Sequence, residues 1–211
     1  MKDAKLRDID HRAFLRRLGP ILAVYAAAMR PPPEQLPGRH TIMERHATYP
    51  AFRAVVAERR GGSLLSRAGG TLQGFGYGFR GETGQWWHDV VRDALTRTGG
   101  GAHAARWLDD VFEVAELHVH PDHQRHGIGR RLLNTLCEGR PERTVVLSTL
   151  DPGHEDTPAR RLYRSVGMVD LLTGFVFPGG GPPYAVMGAT LPLAPYERDG
   201  APASQPAGGP A

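Results

Sequence analysis

The sequence predicts a single-domain α/β (α+β) protein in which helices flank a central sheet. Segments with the twofold periodicity of strands alternate with segments of helical periodicity along most of the chain. Hydrophobic residues make up 40% and charged residues 23% of the 211 positions, which is typical of a globular protein with one core. We expect one domain over residues 1–194 and a disordered Pro/Ala/Gly-rich tail over 195–211.

The N-terminal part carries helical patterns that are broken by proline. The apolar spacing before residue 30 is helical, but Gly19 and Pro20 interrupt it. We therefore expect a short strand or turn and then a helix over 20–30. Three prolines at 31–33 form an extended connector. A second short helix is expected over 40–48.

A β-hairpin is predicted next, from strands over 52–58 and 71–80. In GlyPheGlyTyrGlyPhe, at 74–79, three aromatic residues share one face and three glycines share the other, so another element must approach the glycine face closely. A helix packed on that face is the simplest explanation. The segment 81–110, with a helix to about 98 and a Gly-Gly-Gly break at 99–101, is predicted to be a helical insertion between the third and fourth strands.

The rest of the chain alternates the two patterns again. The predicted elements are a strand at 112–119, an amphipathic helix at 127–138, a strand at 144–150, a short helix that begins after Thr157 and ends at Gly167, and strands near 173–177 and 184–191. The single cysteine, Cys137, occupies an apolar position of the amphipathic helix and is expected to be a small core residue.

The stretch from 116 to 131 holds four histidines and three arginines, which suggest a metal, a nucleic acid or a small anion as ligand. A helix that begins near Gly127 or Gly129 presents unpaired N–H groups and a partial positive charge. Cationic side chains around such a start favour a bound phosphate, which the glycines would admit to the backbone. Solvated arginines around an ordinary tight turn are the alternative. These side chains are Arg125, His126, Arg130 and Arg131.

The other two ligands are less well supported. His118 and His120 share a strand face, and His123 and His126 follow in the loop, but no second Cys or His cluster completes a tetrahedral site. We therefore predict no metal. The net charge of +4 is spread along the chain rather than gathered in one block, so we predict no nucleic-acid partner.

The location of the protein is inferred from what the chain contains. The apolar run at 21–29 is too short to span a bilayer, and one cysteine cannot form an internal disulfide. We expect no membrane partner and a cytoplasmic location.

Two segments resemble the GNAT superfamily of N-acetyltransferases. GlnArgHisGlyIleGly, at 124–129, matches that superfamily's Q/R-x-x-G-x-G/A pattern, and it follows a LeuHisVal strand end and opens an amphipathic helix as the pattern does there. The second segment, 157–168, is similar to the superfamily's helix with the pattern N-x-P-A-x-x-L-Y-x-x-x-G-F. The resemblance covers roughly 112–168 and implies a mixed, mostly antiparallel sheet and an acetyl-CoA-dependent N-acetyltransferase.

The resemblance also implies how acetyl-CoA is bound. Backbone N–H groups from Arg125 to Arg130 would hold the pyrophosphate, where a Cβ on either glycine would collide with the phosphates. The main chain of Leu117 and Val119 would pair with the pantetheine arm. Asp156 stands where the family has Asn and cannot donate a hydrogen bond when ionised. The predicted cofactor-binding residues are Leu117, His118, Val119, Gln124, Arg125, His126, Gly127, Ile128, Gly129, Arg130 and Asp156.

Two residues are predicted to be catalytic. Tyr163 matches the tyrosine that often protonates the CoA thiolate in this superfamily, although a packing role in its helix is the alternative. Glu116 is the candidate base, because it is expected to share a strand face with Phe112 and Val114, where burial would raise its pKa. Glu113, on the other face, matches the base position in some members, and a water chain is a third route.

The acceptor is expected to be a primary amine of a small molecule or peptide. Residues that could line its pocket are Trp86, Trp87, His88, Arg45 and His46. Simple packing is the alternative for the aromatic pair. A homodimer is compatible with the resemblance. The competing functions are a CoA-binding module without catalysis and a basic nucleic-acid binder.

Overall fold

The computed structural model describes residues 4–59, 71–154 and 156–194. They form seven strands and six α-helices, with short 3-10 turns between some of them. The elements are β1 Lys5–Ile9, α1 His11–Arg16, α2 Leu18–Met29, α3 Leu36–His46, β2 Arg53–Glu58, β3 Leu72–Gly81, α4 Trp86–Leu108, β4 Val111–Val119, α5 Ile128–Cys137, β5 Thr144–Leu150, α6 Pro158–Arg164, β6 Val169–Phe175 and β7 Tyr184–Thr190. The predicted tail over 195–211 lies outside the described residues.

All seven strands belong to one sheet, in the order β1-β2-β3-β4-β5-β7-β6. Only β4 and β5 run parallel, and α5 connects them; every other neighbouring pair is antiparallel. The predicted mixed, mostly antiparallel sheet is therefore confirmed, as is the position of the helical insertion, α4, between the third and fourth strands.

The two parallel strands separate after a short paired stretch. Their register runs only from Val111 opposite Thr144 to Glu113 opposite Val146. Beyond this point β4 remains paired with β3, and β5 remains paired with β7. We call the opening between residues 114–119 of β4 and 147–150 of β5 the split. The strand edges that face it have no ladder partner within the described part of the chain.

A β-bulge lies in β4 beside the split. Tyr77 of β3 is opposite Glu116, whereas the next residue, Gly78, is opposite Val114, so Ala115 is the extra residue. A bulge inserts one residue against its partner strand, so the regular alternation of side chains between the two sheet faces is shifted there.

The bulge changes where the two candidate carboxylates point. Phe112 and Val114 pack in the core beneath α5, on one face of the sheet. Glu113 is opposite Phe79 and Glu116 is opposite Tyr77, and both of those aromatic rings lie in the core on the other face. The prediction that Glu116 shares a face with Phe112 and Val114 is wrong, because strict alternation ignores the extra residue. Both glutamates lie on the same face.

Helices cover both sides of the sheet. The α5–α6 layer packs on one face, and its core contains Leu132, Leu133, Leu136, Cys137, Tyr163 and Val166. The buried position predicted for Cys137 is confirmed. The α1–α4 layer covers the other face, with one core under α1, α2 and α3 and a second under α4.

The glycine face of β3 receives α5, as predicted. A Cβ on Gly76 would lie 2.8 Å from both Leu117 Cδ1 and Leu136 Cδ1, and a Cβ on Gly74 would lie 3.3 Å from Leu132 Cδ1. Such distances are below ordinary carbon–carbon contact, so these glycines allow the helix to approach the sheet closely.

The N-terminal prediction needs correction. Residues 5–9 form a strand, and the helices begin earlier than expected because Asp10 caps α1, accepting a hydrogen bond from Ala13 N at 2.7 Å. Pro20 lies in the first turn of α2, where its missing N–H costs no hydrogen bond.

Other helix and strand boundaries shift by a few residues. α3 spans Leu36–His46 instead of 40–48, and β6 spans Val169–Phe175 instead of 173–177. The predicted glycine break in α4 is confirmed at Gly100, which has non-helical φ and ψ of 81° and 169°. Among the described residues no helix is both long and apolar enough to cross a membrane.

Candidate active site

The start of α5 is open to an anion. Gly127 occupies the N-cap position with a left-handed φ of 73°, no side chain of the described residues caps the helix, and its first turn contains no acidic residue. The first N–H groups of a helix lack partners within the helix and lie at its positive end. A helix start of this kind is suited to a phosphate group.

The two glycines of this turn have different structural roles. Gly127 has a backbone conformation that side chains disfavour, and a Cβ there would meet nothing within 4 Å. A Cβ on Gly129 would lie 3.1 Å from Leu162 Cδ1 of α6 and 3.8 Å from Val119 Cγ2. Close packing of α5 on α6 therefore accounts for Gly129 without a ligand, whereas Gly127 leaves open space at the helix start.

The loop before α5 is tied to the end of β4. Gln124 Nε2 donates to the carbonyl of Val119 at 3.0 Å, and Arg125 has a positive φ of 63°. The hydrogen bond holds the loop at the end of β4, where the split opens; we call this end the mouth of the split. The stretch predicted to bind the cofactor, Gln124 to Arg130, thus lies next to the strand segment that carries Leu117, His118 and Val119.

Two arginines of the first turn of α5 contact other parts of the protein. Arg130 Nη2 donates to Ser165 Oγ at 2.8 Å, and Arg131 Nη2 donates to the carbonyl of Ala4 at 2.9 Å. Their guanidinium groups therefore help to hold α6 and the N-terminal segment around the helix start.

Tyr163 lies in the α5–α6 layer, where its side chain is buried. Burial raises the pKa of its hydroxyl to about 12, and the negative charge of Glu116 adds to this effect. Tyr163 is therefore protonated at neutral pH, as a proton donor must be.

Glu116 is held as an anion. Its carboxylate accepts hydrogen bonds from Arg39 Nη1, at 2.9 Å, and from His118 Nε2. Burial acts to raise its pKa, but the hydrogen bond from His118 and the charges of His118 and Arg39 outweigh burial and lower it. The prediction of a raised pKa for Glu116 is therefore wrong, because its cationic partners could not be identified from the strand pattern.

Glu113 has the opposite electrostatic environment. It is 4% exposed, and its Oε2 has no hydrogen-bond partner among the described residues. Burial raises its pKa to about 8. Two carboxyl groups three positions apart on one strand thus differ in charge state near neutral pH.

Residues of α2 and α3 lie around Glu116, and most of them were not predicted to belong to the site. The Arg39 guanidinium lies 5.0 Å from the centroid of the Tyr25 ring. His46 Nδ1 is 3.1 Å from the hydroxyl of Tyr77, and burial lowers the pKa of His46 to about 4. No sequence pattern links α3 to β4, so Arg39 and Tyr25 could not be identified as neighbours of Glu116.

The residues predicted to line an acceptor pocket are divided by the structure. His46 lies beside the Glu116 site, but His88 is buried and its Nε2 is 3.0 Å from the carbonyl of Leu108, which gives it a structural role. Trp87 donates from Nε1 to Ser148 Oγ at 3.2 Å. Trp86 is 56% exposed, and Arg45 is also exposed.

Asp156 precedes α6 and pairs with cations of that helix. Its carboxylate forms ion pairs with Arg161 at 3.5 Å and with Arg164 at 3.1 Å. Thr157 Oγ1 caps the helix and accepts from Arg160 N at 3.2 Å. A contact between Asp156 and the cofactor stays a prediction. Over the same described residues, no group of three or more His, Cys, Asp or Glu side chains is arranged to hold a metal ion.

Comparisons with known proteins agree with this fold. Residues 56–168 match the model of the acetyltransferase (GNAT) domain. A GCN5-like protein acetyltransferase of Mycobacterium tuberculosis is 36% identical over 202 residues, covering 89% of this chain and 98% of that protein. The chain therefore belongs to the GNAT family, and it is an acyltransferase of the N-acetyltransferase type.

Solved structures share the fold at low sequence identity. The aminoglycoside 6'-acetyltransferase type Ii superposes with a TM-score of 0.58 at 17% identity, over 90% of this chain and 99% of that chain. A Salmonella typhimurium acetyltransferase structure that includes its cofactor acetyl-CoA superposes with a TM-score of 0.57 at 16% identity, over 95% and 98% of the two chains. These likenesses confirm the predicted fold class.

Proposed function

We propose that the protein transfers the acetyl group of acetyl-CoA directly to a primary amine. The observation that carries this proposal is the position of the open α5 helix start at the mouth of the split. The split offers unpaired strand edges to an extended amide-containing chain, and the helix start offers N–H groups to a pyrophosphate. Acetyl-CoA contains both groups.

The cofactor would be held mainly by backbone. In this proposal the N–H groups from Arg125 to Arg130 bind the pyrophosphate, with Gly127 leaving room for it. Main-chain groups of Leu117 and Val119, on the open edge of β4, pair with the amides of the pantetheine arm. His118, between them, directs its side chain to Glu116 instead.

Acetyl-CoA supplies an acyl carbon that is already activated as a thioester. The amine nitrogen forms a bond to this carbon, the carbon–sulfur bond breaks, and the thiolate leaves. Tyr163 gives its hydroxyl proton to the thiolate, and the amine loses a proton to a chain of water molecules that leads to the ionised Glu116. Glu116, which is ionised, attracts and orients the acceptor amine from the α1–α4 layer.

A CoA-binding protein without catalysis is the second candidate. The specific observation in its favour is the Glu116 carboxylate, which two donors hold and whose lowered pKa makes it a weak base. Asp156, in the position where the family has Asn, also weakens the match to the family pattern. Only a measurement of acetyl transfer separates the two candidates.

The names of related proteins include both a protein acetyltransferase and an aminoglycoside acetyltransferase. An amine acceptor is common to both, so we extend only this chemical class to the present chain.

The test has two parts. Acetyl-CoA at about 100 times its Kd should raise the melting temperature by about 5–10 °C, since binding to the native state alone adds about 2.7 kcal/mol. Mass spectrometry of a panel of primary amines should then show acetylated product and free CoA in equal amounts. A melting temperature that does not respond to acetyl-CoA would reject the proposal, and a response without any transfer would favour the binding module.

A further inference from the structure

Four aromatic side chains form a continuous row beside the split. The Trp86 ring, at the start of α4, lies 5.6 Å from the ring of Phe177. Phe177 in turn lies 4.9 Å from Phe175 and 5.3 Å from Tyr184, at edge-to-face angles of 77° in both cases. We call these four residues the aromatic row. It joins the helical insertion to β6 and β7.

The aromatic row and Glu116 lie on the same face of the sheet. Tyr184 has the same side-chain orientation as Val186, two residues later on β7, and Val186 packs in the core beneath α4. Tyr184 is also directly opposite Leu150, on the part of β5 that borders the split. Glu116 borders the split from β4, so the row and the carboxylate lie on opposite sides of one opening.

Electrostatics supports the same arrangement. Burial raises the pKa of the Tyr184 hydroxyl, and the charges of Arg39 and Glu116 both act on it. Tyr184, which is opposite Leu150 at the border of the split, is the inner end of the row. Trp86, which is 56% exposed, is the outer end.

The chain segment that carries Phe175, Phe177 and Tyr184 is uncharged. The sequence contains no charged residue from 171 to 194, a stretch that includes three of the four rings. Leu150, 37% exposed and directly opposite Tyr184, adds exposed apolar surface beside the row. Exposed apolar surface that continues into a reaction site is typical of a surface that binds a ligand.

We propose that the aromatic row binds an apolar arm of the acceptor, so that the preferred substrate is a primary amine carried on an aromatic or bulky aliphatic group. The inference rests on the proposed transfer reaction and specifies its substrate class. The amine would reach the split beside Glu116 while the arm lies along Tyr184, Phe177 and Trp86. Trp86 is then a residue that determines specificity without taking part in the chemistry.

A polycationic acceptor fits this surface less well. The uncharged segment from 171 to 194 offers no carboxylates to additional ammonium groups, and the carboxylate of Glu116 is already paired with Arg39. Burying several ammonium groups without partners would be costly. We therefore expect a higher kcat/KM for acceptors that carry one amine on an apolar arm than for acceptors that carry several amines on a polar chain.

The experiment compares 6-phenylhexylamine, whose arm is long enough to reach Trp86 along the row, with spermidine, which has a similar length, as acceptors for the whole chain. The aromatic amine should have the higher kcat/KM. In Trp86→Ala its KM should rise about tenfold with kcat changed less than twofold, because loss of a contact made equally in ground and transition states raises KM alone. Trp86→Phe should restore most of the loss. Leu15→Ala, which removes an exposed apolar side chain on α1, is the matched control and should change neither value.

The change in melting temperature with acetyl-CoA, measured on the same samples, separates the inference about the apolar arm from the proposed acetyl transfer. If acetyl-CoA stabilises the variants and acetyl transfer occurs, but spermidine is preferred or Trp86→Ala leaves the KM for 6-phenylhexylamine unchanged, the inference about the arm is wrong and the proposed function stands. If neither amine nor any other is acetylated, the proposed function itself fails.

Discussion

The two sides of the split present different kinds of chemical group. On the α5–α6 side the features that face it are a helix start, an open strand edge, a left-handed glycine and one buried tyrosine. On the α1–α4 side they are charged and aromatic side chains contributed by α2, α3, β4 and β7. The first side uses mostly backbone groups, and the second uses side chains from distant parts of the chain.

In the proposed function this difference separates recognition of the cofactor from recognition of the acceptor. Backbone groups at a helix start recognise a phosphate whatever side chains surround them, provided that the turn can form. Recognition of the amine depends on which side chains meet across the sheet, and single substitutions change these. The predictions below test each side separately, beginning with the largest expected effect.

The largest effect is expected for Gly127→Val. A β-branched side chain disfavours the φ of 73° and would occupy the open space at the helix start, so the rise in melting temperature caused by acetyl-CoA should disappear. Gly139→Val is the matched control, since Gly139 also has a positive φ, 68°, and also has open space around its Cβ. It should lose a similar amount of stability and keep the response to acetyl-CoA. Loss of the response in both variants would show that strain alone explains the result.

Tyr163→Phe should reduce kcat by about 100-fold, the range typical of a lost general acid, and leave acetyl-CoA binding intact. The measurement is steady-state kinetics together with the acetyl-CoA thermal response. Tyr49→Phe removes a hydroxyl from a half-buried tyrosine of the α1–α4 layer and is the control. A kcat close to that of the unaltered protein would assign Tyr163 to packing alone.

The acceptor side is tested with the two carboxyl groups of β4. Glu116→Gln should lower kcat/KM for the amine by about 30-fold or more, because the anion that orients the amine is lost, with acetyl-CoA binding retained. Glu113→Gln should lower it less. If Glu113→Gln abolishes transfer and removes a kinetic pKa near 8, Glu113 is the proton acceptor and Glu116 only orients the amine.

Glu113 should also make stability depend on pH. Its pKa of about 8 in the folded protein lies above the ordinary value of 4.5, so the folded state retains a proton that the unfolded state releases in this interval. Its contribution to stability is complete below pH 4.5 and is lost as the pH rises to about 8. In Glu113→Gln this part of the dependence should vanish, which urea unfolding at pH 5, 6.5 and 8 would show. An unchanged slope would contradict the assignment.

The smallest effect is expected for Asp156→Asn, which introduces the residue that the family pattern has there. An amide can donate a hydrogen bond, and one such bond adds about 1 kcal/mol, so the KM for acetyl-CoA should fall about fivefold. Loss of the exposed ion pairs with Arg161 and Arg164 should change the free energy of unfolding by less than about 1 kcal/mol. Asp109→Asn, at another exposed carboxylate, is the control, and an unchanged KM would remove Asp156 from the cofactor site.

Much of the fold could be predicted because its signals are local. The glycine–aromatic alternation of β3, the glycine break in α4 and the amphipathic α5 each appear within about a dozen consecutive residues, and all three are present in the structure. The errors arose where a distant contact decides the outcome. β1 is paired only with β2, about fifty residues away in sequence, and the bulge at Ala115 is visible only in its register with β3.

The segment that we propose binds the cofactor could be recognised in the sequence for the same reason. Strand end, turn and helix start are consecutive in the chain, so Gln124 to Arg130 could be identified together. The acceptor side could not, since Arg39, Glu116 and Tyr184 come from three separate elements. Trp86 was named from the sequence as a possible residue of the acceptor pocket, and the uncharged run from 171 to 194 is a signal that could have drawn attention to the other three rings.

The sequence by itself determined the family, the alternating strands and helices and the turn at Gly127, because each depends on neighbours along the chain. The tertiary structure decided that Glu116 points away from Phe112, that Arg39 and His118 keep it ionised, and that Glu113 holds its proton. The physical reason is that the charge state of a carboxyl group depends on its burial and on the cations near it in space. Sequence neighbours do not specify either quantity.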